Sequence, residues 1–241
     1  MTQALTRTTW LSLLPNLASL VGMFCGLLAI RQGLLGNTEA GAWLVLYAVL
    51  LDQLDGTLAR WLEASSELGG QLDSFADFVS FGLAPAFLCM GARLADPAWT
   101  PLSLEALAAA VFVASCALRL ARFNASLVRT EHFQGFPSTL AGALVATSLL
   151  VSGKHGYAPG VVPIALLLCG LGVLMLNPLG PLKMNAVLRG ATARGGLWLA
   201  FTVANLAAVY ALVLAHCLPE YLLGVALLYA IGGTLTRTRA A

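Results

Sequence analysis

Residues 52–77 read "DQLDGTLARWLEASSELGGQLDSFAD", placing four aspartates, two glutamates and one arginine inside an otherwise apolar chain. Asp52, Asp55, Gly56 and Ala59 stand at i, i+3, i+4 and i+7, which on a helix is one stripe, with Arg60 beside it. Gly70, Asp73 and Asp77 form a second stripe at i, i+3 and i+7. The polar "EASSELGG" between them has the length and composition of a helical-hairpin turn. Folding the chain about residue 64 or 65 sets Asp52 level with Asp77 and Asp55 level with Asp73. At 1.5 Å per residue, all four carboxylates then lie about 12–18 Å from the turn.

Working outward, the surrounding chain is lipid-adapted. Of 241 residues, 59% are hydrophobic and only 10% charged, and the mean hydropathy is +0.85. These values predict an all-α polytopic membrane bundle forming a single domain over 1–241. Eight spans are expected near 12–31, 41–62, 70–91, 103–125, 138–153, 160–177, 196–216 and 220–234. The stretch after Arg7 reads as an uncleaved first span, because no small-residue cleavage site stands before Arg31. With the N-terminus inside, ten of the thirteen Lys and Arg fall on the cytoplasmic side, leaving Arg31, Arg93 and Lys154 outside. A net charge of +2 with no basic tract speaks against nucleic-acid binding. The five cysteines are scattered singly and read as packing residues. His132, His155 and His216 have no partner pattern and read as solvated.

An intramembrane carboxylate costs roughly 2.5–3.5 kcal/mol at a helix centre on an insertion scale, so four together demand a function. One arginine cannot neutralise them. A site made wholly of carboxylate oxygens suits Mg²⁺, Mn²⁺ or Ca²⁺ rather than zinc or copper. Gly56 and Ala59 leave one face of the second helix bare for a ligand, and Arg60 is suited to phosphate.

The pattern Asp52-x-x-Asp55-Gly56-x-x-Ala59-Arg60, eight residues, Gly69-x-x-x-Asp73-x-x-x-Asp77 matches at every specified position the signature of the CDP-alcohol phosphatidyltransferases, and the chain resembles that family. The resemblance implies an enzyme that moves a phosphatidyl group from a CDP-linked lipid to an alcohol and releases CMP. It implies two divalent ions, Mg²⁺ or Mn²⁺, on Asp52, Asp55, Asp73 and Asp77, with Asp77 also the catalytic base. Gly56, Ala59, Arg60 and Gly69 would contact the CDP moiety. A six-helix core, here with two C-terminal additions, and a homodimer are further implications.

"DSFADFVSFGLAPA" (73–86), "RLARFN" (119–124), "FQGFP" (133–137) and "LPN" (14–16) resemble the phosphatidylserine synthase branch. That implies CDP-diacylglycerol and L-serine as substrates, and a bacterial cytoplasmic membrane with the active site facing the cytoplasm. Arg119 and Arg122 are candidates for the acceptor's carboxylate or a lipid phosphate, or else snorkelling anchors. The chain departs from the branch at Gly135-Phe136-Pro137-Ser138-Thr139, where Gly-Leu-Pro-x-Pro is common. Glycerol 3-phosphate, an inositol phosphate or choline are the alternative acceptors. A cation-coupled transporter is the alternative from another class, although neither repeat nor broken helix is apparent.

Overall fold

A computed structural model describes residues 2–61, 66–95, 100–125, 136–157 and 159–177, together with Glu220, Tyr221, Leu223, Gly224 and Leu227. The described chain is helical: α1 (Thr2–Leu34), α2 (Thr38–Trp61), α3 (Glu67–Met90), α4 (Leu104–Ala125), α5 (Ser138–Lys154) and α6 (Val161–Leu176). These six coincide with the first six expected spans, with ends shifted by at most three residues except that α1 begins ten residues ahead of the expected 12–31. The expected span at 196–216 lies outside the described residues, as do Arg129, Cys217, His132, His216 and the loop at 178–195. Of the expected span at 220–234, the five described positions are helical. Eight helices are therefore not observed; six are, among the described residues.

Local chemistry sets the helix ends. After Leu34 the chain reverses over three residues, with Gly36 at φ 77° donating to Gly33 and Asn37 donating to Gln32. Only glycine adopts that left-handed conformation without strain, so α1 and α2 form a tight antiparallel pair. Ser66 caps α3, its hydroxyl accepting from the Gly69 N–H at 3.0 Å. Pro163 lies in the first turn of α6, where its missing N–H costs no intrahelical bond.

Inside α3, Phe78–Leu83 form a π-helical turn, and the Ala84 N–H reaches back to Val79. Pro85 follows immediately and can neither donate to the helix ladder nor sit against the carbonyl four residues back. A widened turn is the local answer, and it falls directly after Asp77.

Two apolar clusters surround α3. Ala29, Ala42, Val45, Phe81, Leu88 and Ala146 join it to α1, α2 and α5. Phe112, Cys116, Val145, Leu168 and Met175 belong to the second cluster, which unites α4, α5 and α6 with the end of α3. Three spans, Asn16–Leu34, Glu67–Met90 and Leu104–Ala125, are long and apolar enough to cross a membrane. Leu17, Leu20, Phe24 and Leu27 are exposed on α1, as a lipid-facing stripe requires. On α2, Asp52, Gln53 and Asp55 interrupt the apolar run.

Close helix approach depends on missing side chains. A Cβ at Gly26 would lie 2.8 Å from Ser80 Cα, and one at Gly142 3.1 Å from Phe81 Cα. Both contacts are with the π turn, so α1 and α5 clamp α3 from two sides. Gly26→Ala is expected to destabilise the fold by about 1–3 kcal/mol through overpacking. Gly170→Ala, with nothing within 4 Å of the new methyl, is expected to be neutral; thermal unfolding in detergent measures both.

Candidate active site

Asp52 and Asp55 lie one turn apart on α2, and Asp73 and Asp77 one turn apart on α3. The hairpin brings together one carboxylate oxygen from each of Asp52, Asp55 and Asp73, all within 4.8 Å of one another. All four line one small cavity with Ser19 of α1 and Phe81 of the π turn. The sequence expects the four carboxylates to meet at the hairpin, and all four border this one cavity.

At the 4.8 Å limit, two carboxylates repel by roughly 3–4 kcal/mol at an effective dielectric of about 20. A trio of such pairs is tolerable only with compensating positive charge. Oxygens bound to one ion at about 2.0–2.6 Å from it lie at most about 4–5 Å apart, so the observed spacing fits shared coordination. The donor set is hard and anionic, matching a divalent alkaline-earth ion or Mn²⁺. Asp52, Asp55 and Asp73 therefore can hold such a cation.

Three hydroxyls reach these carboxylates from other helices. Ser19 of α1 donates to Asp55 Oδ2 at 2.7 Å. Two adjacent residues opening α5, Ser138 and Thr139, donate to Asp77 Oδ2 and Asp52 Oδ2, each at 3.3 Å. Arg119 of α4 in turn donates from Nη1 to Ser138 Oγ at 2.8 Å. Below the cluster, Ser80 donates to the Gly22 carbonyl at 3.0 Å, tying the π turn to α1.

The remaining candidates divide. Arg119 is buried, 9% exposed, and belongs to the carboxylate network; reading it as a snorkelling anchor is corrected by that burial. Arg122 is exposed and donates to the Leu176 carbonyl at 3.5 Å, apart from the aspartates. Gly56 borders open space, since a Cβ there would meet nothing within 4 Å. Gly69 is wedged instead, its Cβ position 2.9 Å from Asn16 Oδ1 and 3.0 Å from Ser66 Oγ. Ala59 and Arg60 lie on the last turn of α2, and their side chains fall outside the description. Asn124 joins helices, accepting from Ser74 at 3.1 Å and donating to Gln71 at 3.4 Å.

The sequence profile of the CDP-alcohol phosphatidyltransferases matches residues 12–232, nearly the whole chain. The chain belongs to that family. Among its curated relatives, this phosphatidyltransferase family member is 34% identical over 164 residues to the CDP-diacylglycerol–serine O-phosphatidyltransferase of Bacillus subtilis, covering 68% of this chain and 86% of that protein. The enzyme of the same name from Mycobacterium leprae is 33% identical over 192 residues, 75% of this chain and 62% of that one. The Helicobacter pylori enzyme, also so named, is 32% identical over 174 residues, 69% and 70% respectively. With three helices of spanning length among the described residues, the phosphatidyltransferase is a membrane protein, and enzymes of its family depend on divalent metal, in keeping with the aspartate cluster.

Manganese titration followed by electron paramagnetic resonance gives a direct check. Asp55→Asn and Asp73→Asn are each expected to weaken Mn²⁺ binding at least about tenfold, or about 1.4 kcal/mol. Asp→Asn keeps the shape and removes the charge, so unchanged affinity would exclude these carboxylates as ligands.

Proposed function

We infer that this membrane phosphatidyltransferase transfers the phosphatidyl group of CDP-diacylglycerol to the hydroxyl of L-serine, forming phosphatidylserine and releasing CMP. The observation that carries the acceptor is the name shared by the bacterial relatives, each a CDP-diacylglycerol–serine O-phosphatidyltransferase. The carboxylate quartet at the α2–α3 hairpin supports the chemistry.

In this reading Asp52, Asp55, Asp73 and Asp77 together hold two Mg²⁺ or Mn²⁺ ions. When bound, those ions offset the pyrophosphate charge and stabilise CMP as leaving group. Asp77 takes the proton of the serine hydroxyl as that oxygen bonds to phosphorus and the bond from phosphorus to CMP breaks. The open face at Gly56 lets the CDP moiety approach α2 closely; Ala59, Arg60 and Gly69 complete that side, with Arg60 on phosphate. Arg119, buried beside the base, receives the serine carboxylate, and Arg122 meets phosphate at the exposed helix end. The positive-inside distribution supports a cytoplasmic face for the reaction, and the bacterial relatives support a bacterial inner membrane for the protein. A homodimer completes the proposal, with sedimentation equilibrium in detergent as its measure.

The test is CMP release by purified protein in CDP-diacylglycerol mixed micelles with Mg²⁺ or Mn²⁺. L-serine, glycerol 3-phosphate, an inositol phosphate and choline are offered separately. Release is expected with serine, to be abolished by chelator, and to fall about 10²–10⁴-fold in Asp77→Asn. Turnover of another acceptor in place of serine would overturn the acceptor assignment. Arg119→Lys is expected to raise KM for serine about tenfold while leaving KM for CDP-diacylglycerol near its original value, because ammonium lacks the planar fork that grips a carboxylate.

A further inference from the structure

The first two residues of α5, Ser138 and Thr139, are adjacent in the chain yet reach carboxylates on two different helices. Their hydrogen-bond polarity is fixed by chemistry. A guanidinium has only donors, so Ser138 Oγ accepts from Arg119. An ionised carboxylate has only acceptors, so the single hydroxyl proton of Ser138 goes to Asp77. Thr139 likewise donates to Asp52. Ser138 is fully buried and Arg119 is buried beside it, while Asp77, at the end of this chain of bonds, borders the cavity and is partly exposed.

The backbone holds the pair in place. Pro137, at φ −63° and ψ 135°, brings the chain extended into α5, and Phe136 beside it is 2% exposed and donates its N–H to the Leu174 carbonyl of α6 at 3.1 Å. Gly142, one turn on, packs on Phe81 of the π turn. The start of α5 is thus fastened to α6 on one side and to α3 on the other. Neither hydroxyl can drift without moving a packed element.

We propose that Ser138 and Thr139 are positioning residues for the phosphatidyl transfer: Ser138, held by Arg119, orients Asp77 for proton transfer, and Thr139 orients Asp52 as a metal ligand. The assignment rests on the serine-transferase reading for Asp77 and on the carboxylate cluster alone for Asp52. Each hydroxyl occupies one oxygen of its carboxylate and fixes the plane of the group. It thereby selects which oxygen faces the reacting species, a restriction that a merely space-filling side chain would not impose.

The test uses the full-length protein in mixed micelles and reads Mn²⁺ affinity by paramagnetic resonance alongside steady-state kinetics. Thr139→Val, which keeps the shape and removes the hydroxyl, is expected to weaken Mn²⁺ binding about tenfold, and Thr139→Ser to restore it. Ser138→Ala and the nearly isosteric Ser138→Cys are both expected to lower kcat about 10–100-fold, with KM for CDP-diacylglycerol within about twofold. Unchanged Mn²⁺ affinity in Thr139→Val would overturn the Asp52 half. A kcat within about threefold of the original in both Ser138 variants would overturn the Asp77 half. If the unaltered protein turned over an acceptor other than serine while the Thr139 pattern held, the acceptor reading would fail and the positioning of Asp52 would stand.

Discussion

Mutual repulsion among four carboxylates is the constraint around which this molecule is arranged. Asp52 and Asp55 on one helix face Asp73 and Asp77 on the next, inside a bundle whose outer surface is made for lipid. Left alone, such a cluster would push the hairpin apart. The fold answers with attachments from every side. α1 supplies Ser19, α5 supplies Ser138 and Thr139, and α4 supplies the buried Arg119. Three helices therefore converge on two, and the electrostatic load is spread across contacts that also hold the bundle together. The remaining imbalance is what makes the site receptive to cations.

The scaffold reads plainly from the sequence because membrane helices leave few choices. Backbone groups in lipid must be satisfied within each span, so long apolar runs become helices and Gly- or Pro-rich breaks become turns. The carboxylate site was readable for a related reason: helical periodicity turns Asp52-x-x-Asp55 and Asp73-x-x-x-Asp77 into stripes, and a short turn sets the stripes opposite each other. Even the meeting of the two stripes in one cavity follows from counting residues back from the bend.

The hydroxyls were not readable, and the structure shows why. A serine or threonine in an apolar helix ordinarily bonds the carbonyl one turn back, as Thr147 does with Ala143, Ser148 with Leu144 and Ser152 with Ser148. Ser19, Ser138 and Thr139 look the same in sequence and differ only in what tertiary packing puts within reach. Arg119 illustrates a similar ambiguity, since an arginine near a helix end commonly reaches for the interface, whereas here it turns inward. Gly56 and Gly69 belong to one motif yet meet opposite surroundings, one open and one wedged beside Asn16. A spacing rule fixes position along a helix but says nothing about the neighbour across from it.

The π turn at Phe78–Leu83 has a consequence for how such chains can change over time. It is the joint between the part of α3 that presents Asp73 and Asp77 and the part that carries Pro85, Leu88 and Cys89 into the core. Its six residues sweep about as much rotation as five residues of ordinary helix, so losing one there would tighten the turn and leave the carboxylates and the core side chains on their present faces. The cost would fall on Pro85, whose ring needs the widened turn in front of it. One residue lost elsewhere between Asp73 and Leu88 would instead rotate one half of α3 against the other by about 100° and take either the carboxylates from the cavity or the core side chains from the core. The π turn is thus the one slack link in a helix whose phase is otherwise fixed at both ends.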